Sequence, residues 1–189
     1  MQSPLVYYPN ELLKKRSSEV REFTSELKTL SEHMRQVMKD YAGMGLAAPQ
    51  VGQSIRLITV EYQPVEGDKN PAIPFTVMIN PEITKMGKET DWLSEGCLSI
   101  PYVEVDIERP TEVSVTYQDL DGTKQTIHAK GLFARIVQHE IDHLNGTLIL
   151  DYEKPAEVSD KPRVIFWGST PFSTEVMNVI RPYVTMVAI

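Results

Sequence analysis

The segment from Lys130 to Asn145-Gly146 constrains this chain most. It reads as a helix closed by Asn or Gly, and at its centre stand His139-Glu140-Ile141-Asp142-His143. At about 100° per residue, Leu132, Ile136 and His143 fall within about 60° of His139. Glu140, Phe133, Leu144 and Val137 fill the next arc, and Arg135, Gln138, Asp142 and Asn145 lie on the other side of His139 from that arc. Two histidines and a glutamate therefore lie inside an apolar face. Ordinary satisfied polar residues would sit on the solvent side, because a buried carboxylate without a partner is costly. Positions i and i+4 share one face, so both imidazoles can reach a single ion, with Glu140 beside it as a general base.

Elsewhere the periodicities divide the chain. Residues 11–20 and 25–40 predict helices. In the second, Leu27, Leu30, Met34, Val37, Met38 and Tyr41 recur at three- and four-residue spacing, Thr24 or Ser25 caps the start, and Gly43-Met44-Gly45 ends it. Strands are predicted at Ile55–Val60, Phe75–Ile79, Val103–Ile107, Glu112–Gln118 and Lys124–Ala129. Asp121-Gly122 turns the last pair into a hairpin, and Gln63–Pro74 reads as an exposed loop. Strands in the middle and helices at the ends make an α+β fold the expected class.

The 189 residues suffice for one domain, with or without a short extension, and 41% hydrophobic content predicts a folded core. A formal charge of −7 argues against general nucleic-acid binding. No apolar run approaches the roughly 20 residues of a membrane span, and the N-terminus lacks the pattern of a signal peptide, so a cytoplasmic address is expected. The single cysteine excludes an intramolecular disulfide.

A third ligand is less directly read. Ile149 stands where an HExxHxxGxxH protease would place its third histidine, and Glu153 and Glu157 flank Pro155 in a segment without helical pattern. His33 and His128 fall on polar stretches and read as solvated. Cys97 is either a small buried hydrophobe or a thiolate ligand suited to zinc or ferrous iron.

Three segments then converge. Gly43-Met44-Gly45-Leu46-Ala47-Ala48-Pro49-Gln50 resembles the GxGLAAxQ signature of peptide deformylases. Glu95-Gly96-Cys97-Leu98-Ser99 resembles their EGCLS signature, and Gln138-His139-Glu140-Ile141-Asp142-His143 their QHExDH signature. The similarity runs from about Val6 to Tyr152. It implies antiparallel β-sheets around a central HExxH helix, and hydrolysis of the N-formyl group of N-formylmethionyl nascent peptides, with release of formate, at the ribosome. It also implies one divalent metal ion, ferrous iron in the cell with zinc, nickel or cobalt able to replace it, held by Cys97, His139 and His143.

Joined to that pattern, Glu140 is the general base. The Gln50 amide and the Leu98 N–H stabilise the developing oxyanion, and Gly45 lets the backbone approach the substrate. Met44, Leu93, Leu132 and Ile136 are candidates for the methionine pocket, although plain core packing explains Leu132 and Ile136 equally well. Glu95 pairs with Arg109 to hold the Cys97 loop, unless Arg109 is a surface charge. Gln138 and Asp142 anchor the helix or orient ligands. Tyr102 and Glu104 depart from common family patterns, which bears on peptide preference beyond the first residue.

These features divide the chain into a deformylase-like domain over 1–155 and an extension over 156–189. Within the extension, Lys161–Ile189 resembles the opening β-α-β of methionyl-tRNA formyltransferases, with strands at Val164–Trp167 and Val184–Ile189 about a helix at Ser173–Ile180. It reads as the front of a fused or truncated protein, or as an added strand and helix, and no transferase activity is expected from it. Two rivals remain: another HExxH zinc peptidase, and a non-catalytic protein that keeps the fold.

Overall fold

The computed structural model describes residues 5–152. The predicted extension, the boundary near residue 155, Glu153 and Glu157 lie outside them. Helix α1 (Ser25–Asp40) precedes strands β1 (Gly45–Ala47), β2 (Leu57–Tyr62), β3 (Ile73–Met86), β4 (Thr90–Cys97), β5 (Ile100–Pro110), β6 (Glu112–Gln118) and β7 (Lys124–Lys130). Helix α2 (Gly131–Leu144) follows, and 3-10 turns occupy Glu11–Lys14, Ala48–Val51 and Ile149–Tyr152. A five-stranded antiparallel sheet has the order β1-β2-β3-β6-β7, while β4 and β5 pair separately. The α+β expectation holds.

Strand alternation sorts the core into layers. Ile58 and Val60 of β2 and Val113 and Val115 of β6 join the α2 residues Ile136, Val137, Ile141 and Leu144. Leu57 and Ile79 belong to the cluster that holds Met34, Val37 and Met38 of α1. On β5, Val103, Val105 and Ile107 are buried while Glu104, Asp106 and Glu108 are exposed, the period of a strand with one face in a core. Each large aliphatic side chain so buried contributes about 1.5–3 kcal/mol.

Several expectations need correction. The helix predicted over 11–20 is a single 3-10 turn ending at Lys14. Beyond it Ser18 forms a parallel bridge with Ile55, so tertiary pairing overrides local pattern. Strands β1 and β4 were not predicted, and β3 begins two residues before Phe75 and runs well past Ile79, to Met86. Thr24 occupies the start of α1 without a side-chain capping bond. The loop expected over Gln63–Pro74 ends two residues earlier, because Ile73 and Pro74 already belong to β3, while the Asp121-Gly122 turn and the limits of α2 fall where expected, with Gly122 at φ 78° and Gly146 at φ 76°. Among the described residues, no helix is long and apolar enough to cross a membrane.

Candidate metal centre and catalytic site

Helix α2 is buried around most of its circumference, and its Gln138 and Asp142 are met by partners from other elements. Gln138 Nε2 donates to the Pro110 and Ala134 carbonyls at 3.0 Å each. Asp142 accepts from Arg109 at 2.8 Å and from the Tyr152 hydroxyl at 2.7 Å. At the C-terminal end, the Leu144 carbonyl accepts from the Ser17 backbone N–H at 2.9 Å and from Arg56 at 3.3 Å; Arg56 also reaches Asn145 Oδ1 and the Pro81 carbonyl. Exposed carbonyls at a helix end are satisfied this way.

The last residue of β4 is brought against this helix. Cys97 Sγ lies 3.2 Å from His143 Nε2, and one donor atom from each of Cys97, His139 and His143 lies within 4.8 Å of the others. All three side chains are at least mostly buried, and the imidazole centroids are 5.0 Å apart. His33 and His128 are exposed and stand apart from this cluster. Burial and the neighbouring His139 and Arg109 hold His143 well below its ordinary value, in the neutral form that ligates metals. Burial would also depress His139, but hydrogen bonds to Cys97 and Glu95 outweigh it and hold His139 well above its ordinary value. One thiol and two imidazoles are a donor set for zinc or ferrous iron.

Glu140 completes the face. The residue is 4% exposed, and its Oε2 has no hydrogen-bond partner among the described residues. Burial pushes it up to about 7, with His139 pulling in the opposite direction. A carboxyl poised there can take or give a proton at neutral pH. An acceptor of this kind on the same helix as two imidazole donors, with one thiol facing them, fits an ion that brings water with it.

Gln50, 2% exposed, comes from the 3-10 turn after β1. Its Oε1 accepts from the Ala47 N–H at 2.8 Å, which turns Nε2 toward Ser99 Oγ at 3.2 Å and Cys97 Sγ at 3.7 Å. The N-terminal segment braces both loops, through Val6 N–H to the Gln50 carbonyl and Tyr8 N–H to the Ser99 carbonyl. Leu98 is half-buried beside Gly43. Gly45 lies under Glu140: a Cβ there would come within 2.8 Å of both Glu140 Cγ and Ile136 Cγ2. Of the candidate pocket residues, Ile136 is buried and Leu132 partly buried in the core, whereas Met44 and Leu93 are 40% and 49% exposed.

Behind the donors, Glu95 and Arg109 form a two-pronged pair at 2.6 and 2.9 Å, with both side chains buried. Glu95 Oε2 also faces His139 Nδ1 at 2.9 Å. Burial raises the Glu95 carboxyl, but the His139 and Arg109 hydrogen bonds prevail and bring it to about 2. Sequence reasoning left out Arg135, Ser99 and Tyr152 here. Their partners are distant in sequence, and only Ser99 lay inside a recognised motif.

Fold and site together define a class, an α+β metallohydrolase built on an HExxH helix. Comparison with known proteins gives the family. Residues 2–159 match the polypeptide deformylase family. A peptide deformylase of Picosynechococcus sp. is 43% identical over 147 residues, 78% of this chain and 76% of that one. One of Dictyoglomus thermophilum is 48% identical over 141 residues, covering 74% and 85%. A Met-Ala-Ser-bound class I type b peptide deformylase of Acinetobacter baumannii superposes with a TM-score of 0.75 at 34% identity, over 81% of this chain and 99% of that one. The chain belongs to the polypeptide deformylase family. Its reaction is metal-dependent removal of the N-formyl group from nascent peptides, with release of formate.

Proposed function

We propose that Cys97, His139 and His143 hold the ion and that Glu140 moves the proton in this reaction. The observation that carries the reading is the approach of the Cys97 sulfur to two imidazoles one helical turn apart, with a buried, unpartnered oxygen on Glu140, which interacts electrostatically with His139. When bound, the ion supplies Lewis acidity, polarising the formyl carbonyl and making water more acidic. Glu140 accepts a proton from the attacking water and delivers it to the departing amine nitrogen. The new C–O bond yields formate, and the broken C–N bond frees the peptide amine. Gln50 Nε2, oriented by Ala47 and Ser99, donates to the formyl oxygen together with the Leu98 N–H. Preorganised donors of this kind are worth about 3–4 kcal/mol each.

Gly45 keeps the backbone beside Glu140 open to substrate. Met44, Leu93, Leu132 and Ile136 form the wall that receives the methionine side chain, and Glu95, Arg109, Gln138 and Asp142 hold ligands and helix in register. The ion in the cell is ferrous iron, and zinc, nickel or cobalt fit the same donors. The acidic chain acts in the cytoplasm on N-formylmethionyl chains at the ribosome, without general affinity for nucleic acid.

Anaerobic purification with metal analysis and a formate-release assay tests this. The parent chain is expected to carry one iron and release formate from formyl-Met peptide. Cys97→Ser and His143→Ala should lose both metal and turnover. Full metal content and turnover in either variant would overturn the ligand assignment.

A further inference from the structure

Arg135 is a buried cation that the proposed chemistry does not use. It stands four residues before His139, one turn away on the same strip of α2. Its Nη1 donates to Glu95 Oε1 at 2.7 Å and to the Ile107 carbonyl at 3.1 Å. Its Nη2 reaches the Asp91 carbonyl at 3.0 Å and the Asp91 carboxylate. Glu95 thus bridges two positions of one helix, with Oε1 on Arg135 and Oε2 on His139 Nδ1. Arg109 grips both Glu95 oxygens from the paired strand and meets α2 again at Asp142, beyond His139. Two guanidinium groups therefore clamp the helix on either side of His139.

We infer that Arg135 is a positioning residue for His139: by pinning one oxygen of Glu95, it keeps the other turned to His139 Nδ1. With Nδ1–H donated to a carboxylate, the ring is fixed in the tautomer that offers its Nε2 lone pair to an ion. Asp91 anchors the far side of the guanidinium. A lysine at 135 has one ammonium and no planar fork, so it cannot meet Glu95, Asp91 and Ile107 together. This inference rests on the reading of Cys97, His139 and His143 as ligands.

The test uses the metal-free full chain titrated with Co(II) alone. It follows the thiolate-to-cobalt charge-transfer band and the affinity against a competing chelator, with urea midpoints measured in parallel. The parent is expected to bind with that band. Arg135→Ala and Arg135→Lys should bind about 10–100-fold more weakly with displaced visible bands, and Asp91→Ala should fall between. Because Asp91 is partly exposed, its variant, with Arg135→Lys, carries the test if Arg135→Ala does not fold. Parent-like affinity and spectrum in both Arg135→Lys and Asp91→Ala would overturn the inference, whatever happens to stability. A parent without the charge-transfer band would instead remove Cys97 as a ligand, and this inference with it.

Discussion

At Gly45 the missing side chain makes room for neighbours within the protein, the Glu140 and Ile136 side chains. A methyl group there would press on Glu140 and Ile136. Gly45→Ala is therefore expected to displace the carboxylate and lower kcat by about 10²-fold, while Co(II) affinity stays within a few-fold of the parent. Equal losses in binding and turnover would show that the metal donors had moved instead. Glu140→Gln keeps the shape and removes the proposed proton acceptor. Steady-state assays should show kcat down by about 10²–10⁴-fold with metal content unchanged. The Glu140 motif was legible because its spacing is local. The reason for Gly45 was only half legible, since its contacts come from α2, some 90 residues later.

Among the elements, α2 could be read almost to its ends because its period, closing Asn-Gly and buried polar triad agree. Strand β4, Thr90–Cys97, could not: Thr-Asp-Trp-Leu-Ser-Glu-Gly-Cys has weak strand preference, and its conformation comes from pairing with β5. The Arg56 cap on α2 was equally hidden, with partners at 81, 144 and 145. Arg56→Ala should lower stability by about 2–3 kcal/mol, read as a fall in urea midpoint at unchanged slope. An unmoved midpoint would show that water serves those carbonyls as well.

Helix α1 is tied to β2 by Arg35, which grips Glu61 at 2.8 and 2.5 Å. That hydrogen bond pulls the Glu61 carboxyl below its ordinary 4.5 against the push of burial. The folded state thus binds this proton less readily than the unfolded one. The contribution is complete above 4.5 and fades as pH falls through the lower folded value. Between about pH 6 and about pH 3, urea midpoints of the parent should drop further than those of Glu61→Gln. Parallel curves would show that the pair adds nothing to acid resistance.

Over the whole molecule, the three donors belong to two separately built parts, the end of the β4–β5 pair and the helix packed on the five-stranded sheet. An ion held by both acts as a cross-link that the unfolded chain lacks. At a free concentration one hundred times Kd, it should add about 2.7 kcal/mol, seen as a higher melting temperature that chelation reverses. No shift on loading would mean that the two parts are already locked without it.

The same enclosure leaves α2 no tolerance for a change of length. An extra residue placed between Arg135 and His139 would rotate everything beyond it by about 100°, carrying the imidazoles away from the sulfur while the guanidinium stayed behind. Growth or shrinkage of the polypeptide has to be absorbed at places such as the exposed 63–72 stretch, which packs into no part of the core.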